Sequence, residues 1–312
     1  MSNMSSVSSM SPESRISAQF PQVTFAHASG VSWPRSGHHL LVRLLTGYFG
    51  PAFGYCEFYN VKPSVKDIPR CCGQRPCANA NRIALTKDHD FELNTPQIPG
   101  QRYLVQYRAF APSVVSNFEL AVRNGREDSA ASFRVFVSAE FSRYLGFTQR
   151  WVDSDFARAE GILRVLYEDL VTDPCGVLSE AAAYLAPGHE PDTARIRAVV
   201  REVDAQRVAD RKIETLARAG VHASRRVEDF RYHDPALFAL IEGLRLPRGV
   251  VQDAFRSLLG REPAEDNMLR FQAFETRAAL EDHIRATPEF LRRHEAPEGR
   301  HRGAHPLPRR AS

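Results

Sequence analysis

The chain of 312 residues carries 41 Lys and Arg against 37 Asp and Glu, a net charge of +4 with His neutral, and is 43% hydrophobic and 25% charged. A chain this long can bury a full core, and its small net charge lacks the concentrated basic stripe expected of a nucleic-acid coat. No apolar run approaches the roughly 20 residues needed to span a bilayer, and no basic stretch followed by an apolar one opens the chain, so the cytoplasm is the expected compartment.

Residues 1–19 hold eight serines and three of the four methionines. They have little to bury and are expected to be disordered. Residues 23–33 form a strand candidate that ends at the turn Pro34-Arg35-Ser36-Gly37. Leu40, Leu41, Leu44, Leu45 and Tyr48 follow at helical spacing. Further strand candidates lie at 83–87, 103–108 and 162–167, with helical patterns at 112–124, 130–147 and 174–186. Strands alternating with helices predict an α/β domain over 20–247, a parallel sheet flanked by helices on both faces. Ligands of such sheets bind at the carboxyl ends of the strands. From 248 to 294 the pattern is purely helical, with Val251, Ala254, Phe255, Leu258 and Leu259 on one stripe. This predicts a small all-helical appendage, and the Arg-, His- and Pro-rich stretch 295–312 is expected to be a disordered tail.

Three segments carry chemistry. In residues 32–45 a strand, a tight turn and an abrupt helix start aim backbone N–H groups at one point, where the helix dipole favours an anion. Gly37 permits close approach of an oxyanion. Ser36 can add a hydroxyl, and Arg35 a fork of donors. The Lys-Ser/Thr pair of a nucleotide-triphosphate loop is replaced by His38-His39, which disfavours such an enzyme. In residues 103–118 an apolar strand delivers Arg108, and Ser116 follows one turn into a helix, a pairing suited to a phosphate monoester. Between these two, Lys87 and His89 stand two apart at a strand end, so both can project to one side.

The turn Pro34–Gly37 resembles the 5′-phosphosulfate loop of sulfotransferases dependent on 3′-phosphoadenosine-5′-phosphosulfate (PAPS). Arg108 with Ser116 is similar to that family's 3′-phosphate motif, and VLYEDLVTDP at 165–174 to its strand ending in Tyr-Glu-Asp-Leu. The resemblance covers roughly residues 23–245 and implies a P-loop-like sulfotransferase fold, PAPS as co-substrate and no metal. It implies that Arg35, Ser36, Gly37, His38, His39, Arg108 and Ser116 bind the cofactor, with Tyr167 near the adenine. Lys87-Asp88-His89 resembles the family's Lys-x-His, in which His89 would be the general base and Lys87, with Arg35, would stabilise transferred charge. The chain departs from the pattern at His38, at Ala109-Phe110 after Arg108, and in the late basic loop, of which Arg225-Arg226-Val227-Glu228-Asp229-Phe230 is only an echo, with Arg225 and Arg226 as its basic residues.

Four of the five cysteines, at 56, 71, 72 and 77, fall between the first helix and the Lys-x-His strand, and the fifth is Cys175. Their spacing is not that of a zinc site. Reduced cysteines in a substrate loop are the first expectation, one disulfide the second and zinc the third. Leu258–Pro263 and Thr287–Phe290 resemble a bacterial helical module of unknown function, relatives of which accompany enzymes acting on surface glycans. The expected function is sulfuryl transfer to a hydroxyl or amine of a small-molecule or glycan acceptor. A P-loop-type kinase and a catalytically silent PAPS-binding protein are the alternatives. Acceptor identity and oligomeric state are not legible in the sequence.

Overall fold

The computed structural model describes residues 20–57, 72–217 and 226–294. Both ends expected to be disordered lie outside the described residues. Five strands form one sheet: β1 (Ala28–Ser32), β2 (Tyr55–Glu57), β3 (Leu85–Asp88), β4 (Tyr103–Tyr107) and β5 (Ile162–Leu166). Their order is β2-β3-β1-β4-β5, and every neighbouring pair is parallel. Parallel strands covered on both faces read as near-continuous apolar runs; β4 (YLVQY) comes close to this, whereas β3 is buried throughout although it reads Leu-Thr-Lys-Asp.

On one face lies α1 (His38–Phe49), whose Leu41, Leu44, Leu45 and Tyr48 stripe packs with Ala28, Leu85 and Leu104 of the strands. Two further helices, α5 (Pro174–Leu185) and α6 (Thr193–Ala217), share that core through Leu178, Leu185, Ile196 and Val199. On the other face α2 (Phe110–Arg123) and α3 (Ala130–Trp151) flank the sheet, and Phe147 and Trp151 of α3 pack against Val31, Tyr103 and Val105. Local signals fix the helix starts. The Ser129 side chain accepts the Ser132 N–H to cap α3, and Asp173 accepts the Gly176 N–H to cap α5 with Pro174 behind it. The expected parallel sheet with helices on both faces is the fold the chain forms.

The differences from expectation are local. The strand expected over 23–33 is confined to Ala28–Ser32. The short edge strand β2, the helix α4 (Tyr167–Thr172) and α6 were not singled out in the sequence. Three residues are too few to show a period of two, whereas α6 does carry an apolar stripe at helical spacing, Ile196, Val199, Val200 and Val203, within an otherwise polar helix.

A second compact unit runs from Ala239 onward. Its helices Arg248–Leu259, Met268–Gln272, Arg277–Arg285 and Pro288–His294 enclose Val251, Phe255, Leu259, Met268, Leu280 and Ile284. Leu246 belongs to the same core, and the N–H groups of Arg245 and Leu246 both donate to Gln272 O, so this unit is organised before Arg248. No helix among the described residues is long and apolar enough to cross a membrane.

At Gly30 on β1 there is no room for a side chain beside β3: a Cβ there would lie 2.1 Å from the Thr86 carbonyl oxygen. The contact is backbone on a paired strand, so it cannot be relieved by a rotamer change. Gly30→Ala is expected to destabilise the domain by about 3 kcal/mol or more, read as a lower denaturation midpoint. An unchanged midpoint would mean that the β1–β3 pairing is looser than described.

Candidate active site

The chain leaves β1 through a turn tied to β4 on both sides. Trp33 N–H donates to Gln106 O at 2.8 Å, the Ser36 hydroxyl donates to the same oxygen at 3.3 Å, and Gln106 Nε2 donates back to Ser36 O at 2.8 Å. Arg35 and Gly37 both have positive φ, 67° and 80°, which reverses the chain into α1. At Gly37 a side chain has no room, because a Cβ would lie 2.5 Å from the Tyr167 ring. The first helical hydrogen bonds run from the N–H groups of Leu40 and Leu41 to Gly37 O. The N–H groups before them belong to the open end of the helix, where an anion is favoured.

Guanidinium groups crowd beside this turn. Arg35 Nε donates to Ser116 Oγ at 2.9 Å, which joins the turn after β1 to the helix after β4. Arg108 follows β4 directly, reaches Arg35 O at 3.4 Å, and stacks on the Tyr167 ring at 4.1 Å. Its buried Nε lies 3.8 Å from Glu168 Oε1, and has no hydrogen-bond partner among the described residues. Burial, then the charges of Arg123 and Arg108, push the Arg35 pKa below its ordinary value. Arg35 and Arg108 held side by side within the field of Arg123, one with an unmet buried N–H, suit an anionic ligand. The donor set therefore fits phosphate or sulfate oxygens.

At the end of β3 a second cluster forms. Lys87 has only 4% of its side chain exposed, and its Nζ lies 3.6 Å from Glu57 Oε1 and 3.3 Å from His39 Nε2. Glu57 is its direct partner across β2 and β3. Burial lowers the Lys87 pKa, and Glu57 opposes that shift. The Tyr55 hydroxyl donates to Glu57 Oε1 at 3.1 Å and lies 3.1 Å from His38 Nε2.

His89 Nδ1 is 2.6 Å from Ser32 O. A carbonyl only accepts, so Nδ1 carries the proton and Nε2 keeps the lone pair. Burial first, and then the Lys87 charge, lower the His89 pKa to about 4, against the Ser32 bond and Asp88, which raise it. The imidazole is held neutral, as a proton acceptor must be. Asp88 turns away from its neighbours: Thr95 Oγ1 donates to it at 2.6 Å, and Arg75 Nε lies 2.9 Å away.

The fold brings Arg35, Gly37, Arg108, Ser116 and Tyr167 into one contact set, and Lys87 with His39 into another; His89 hangs from the last residue of β1. Ser36 spends its hydroxyl on β4, and Tyr167 presents a ring already covered by Arg108 and Gly37. His38 is buried toward Tyr55, whereas His39 has 70% of its side chain exposed. Arg226 is exposed and pairs with Glu228, and Arg225 lies outside the described residues. Glu57, Ser32, Gln106 and Arg123 were missed in the sequence. Only Arg123 left a trace there, two helical turns after Ser116 on the same face. Among the described residues no group of three or more His, Cys, Asp or Glu is placed to hold a metal.

No family model and no curated protein matches this chain. Among solved structures, the mouse sulfotransferase SULT7A1 complexed with PAP is similar over 74% of this chain and 87% of that one, at 18% identity and a TM-score of 0.46. A sulfotransferase from Alicyclobacillus acidocaldarius is similar over 64% of this chain and 97% of that one, at 19% identity and a TM-score of 0.35.

The depressed His89 pKa has a consequence for stability. Between the ordinary value near 6.5 and the folded value of about 4, the unfolded chain binds a proton that the folded chain refuses. The stabilising preference for neutral His89 is therefore present above pH 6.5 and lost as pH falls toward 4. The loss amounts to roughly 3 kcal/mol at about 1.4 kcal/mol per pH unit. Denaturation measured from pH 7 to 4 should show a weaker pH dependence in His89→Gln than in the parent. Parallel profiles would place the His89 pKa near its ordinary value.

Proposed function

We propose that this chain transfers a sulfuryl group from PAPS to a hydroxyl or amine acceptor. The observation that carries this reading is the placement of His89: a neutral imidazole, its tautomer set by Ser32 O, at the strand end beside the cation-lined turn after β1. In this reading the turn from Arg35 to His39 holds the 5′-phosphosulfate, Arg108 and Ser116 hold the 3′-phosphate, and Tyr167 lies near the adenine. Arg225 and Arg226 are left for the late basic loop. The bound phosphosulfate supplies the electrophilic sulfur. His89 Nε2 takes the acceptor proton as the acceptor oxygen or nitrogen bonds to sulfur. Arg35 and Lys87 stabilise the negative charge left on the phosphate oxygen when its bond to sulfur breaks.

Glu57 gives Lys87 a defined position and part of a counter-charge, so the lysine acts as a fixed donor beside the leaving oxygen. A base with a pKa of about 4 is weak, but nucleotide charge nearby favours the imidazolium and raises that value toward the working range. The chemistry needs no metal in this reading, because the guanidiniums and Lys87 take the cationic role. The cytoplasm is the proposed compartment, and a small alcohol or a glycan the proposed acceptor class.

Ligand that binds only the folded chain raises its melting temperature. The desulfated product, 3′,5′-diphosphoadenosine, is expected to raise it more than ATP with magnesium does. A larger shift with ATP would favour the kinase reading. Arg108→Ala and Ser116→Ala should each weaken diphosphoadenosine binding by roughly 1.5–3 kcal/mol in calorimetry.

His89→Ala is expected to cut turnover roughly 10²–10⁴-fold with labelled PAPS and a panel of hydroxyl acceptors, while diphosphoadenosine affinity stays near that of the parent. Binding without turnover on any acceptor, in the parent as in the variant, would instead identify a silent PAPS-binding protein.

A further inference from the structure

The segment ahead of β3 carries a reactive group that sulfuryl transfer leaves unused. The Cys72 and Cys77 sulfurs lie 3.8 Å apart, and both residues are thiols. Two backbone N–H groups point at Cys72 Sγ, that of Gln74 at 3.4 Å and that of Ala78 at 3.3 Å. N–H groups aimed at sulfur stabilise the thiolate, which is the nucleophilic form. Burial raises the Cys72 pKa, but these N–H groups together with Cys77 outweigh it, and the net shift is downward. Both sulfurs belong to residues that are partly exposed, on the wall of a cleft that also includes Gln74, Pro76 and Thr95. A small oxidant can therefore reach them.

We propose that Cys72 and Cys77 form a redox-active dithiol, a modification site in which Cys72 is the attacking sulfur and hydrogen peroxide the oxidant. Cys72 thiolate attacks one peroxide oxygen, the O–O bond breaks, and hydroxide leaves with Cys72 as a sulfenic acid. Cys77 then attacks the Cys72 sulfur, the S–S bond forms, and the sulfenic oxygen departs as water. The net reaction takes two electrons from the two thiols and turns one peroxide into two waters. A disulfide needs its sulfurs about 2.05 Å apart, so side-chain rotation and a small loop adjustment must close the present gap.

The position of the pair gives the oxidation a target. Arg75 lies within the ring that the bridge would close, and its guanidinium holds Asp88 at 2.9 Å and Asn94 Oδ1 at 3.0 Å. Asp88 stands between Lys87 and His89 on the chain, and its charge raises the His89 pKa. The thiol state is thus linked, through one ion pair, to the strand end that carries the proposed base. In a reducing compartment the dithiol is the resting state, and the bridge forms under oxidant.

The test uses the full-length chain, reduced, freed of reductant and exposed to graded hydrogen peroxide, with peptides mapped by mass spectrometry without reduction. The expected result is a Cys72–Cys77 bridge, seen as the loss of two hydrogens from that peptide and reversed by dithiothreitol, at a dose that leaves Cys175 a thiol. In Cys77→Ser the reaction should stop at a Cys72 sulfenic acid that dimedone captures. Both positions are partly exposed, so these variants should fold, and the parent chain alone already decides the pairing. A bridge through Cys71, or oxidation of Cys175 at the same dose as Cys72, would overturn the assignment. So would dimedone capture on Cys77 in Cys72→Ser at an equal rate. None of these readouts depends on sulfuryl transfer.

Discussion

The site depends on the position of β1 at the centre of the sheet, hydrogen-bonded in parallel to β3 on one side and β4 on the other. Parallel pairing makes all three strands end at the same edge; the chain runs from β1 to β2 and β3 on one side and then crosses back to β4 and β5 on the other, so the strand order reverses beside β1. Such a switch point opens a crevice outside the strand ends. Here the three segments that emerge carry Arg35, then Lys87 and His89, then Arg108. The tight approach at Gly30 and the hydrogen bonds between the turn and Gln106 hold the three ends in register. A shift of one residue in either pairing would turn Lys87 or the residues ahead of Arg108 to the opposite face.

Charge divides that edge into two unlike halves. Around the turn Arg35 and Arg108 lie side by side and Arg35 feels the charge of Arg123, while Glu168 stands 3.8 Å from Arg108 Nε. Toward β2, Lys87 has Glu57 and His39 as close company, and His38 and His89 are kept neutral by burial. In the proposed reaction the first half would receive negative charge and the second would move a proton. Keeping several cations buried costs stability unless each has a partner. The hydrogen bonds from Arg35 to Ser116 and from Arg108 to the Arg35 carbonyl offset part of that cost without neutralising the site.

The far face of β3 shows how the proposed base is supported from behind. Asp88 is buried and accepts from Thr95 and from the Asp90 N–H while pairing with Arg75. Asp90 in turn accepts from the Trp151 indole at 2.7 Å and from the Thr95 N–H at 2.7 Å, which anchors the segment after His89 to α3. Buried carboxylates satisfied this fully act as rigid posts. The helical unit from Ala239 has a separate apolar core, and its exposed pairs such as Arg261 with Glu289 add little beyond solubility.

Much of this was legible in the sequence, for a local reason. Arg35, Arg108, Lys87 and His89 each stand immediately at or after an apolar run, and apolar runs broken by turns and helical stripes are enough to predict a parallel α/β sheet with ligands at its strand ends. What the sequence could not supply is the set of partners that acts across the sheet. Glu57 lies 30 residues from Lys87 on a three-residue strand without detectable period, and becomes its partner only because β2 pairs with β3. The group that fixes the His89 tautomer is a backbone carbonyl, invisible to residue type. His38 and His39 are adjacent and chemically identical, yet one is buried against Tyr55 and the other is mostly exposed and reaches the buried Lys87. The sequence thus determined which chemical groups leave the strand ends, because that is written in local periodicity. Only the tertiary structure decided their partners, charges and tautomers, because those follow from burial and from contacts between segments far apart in the chain.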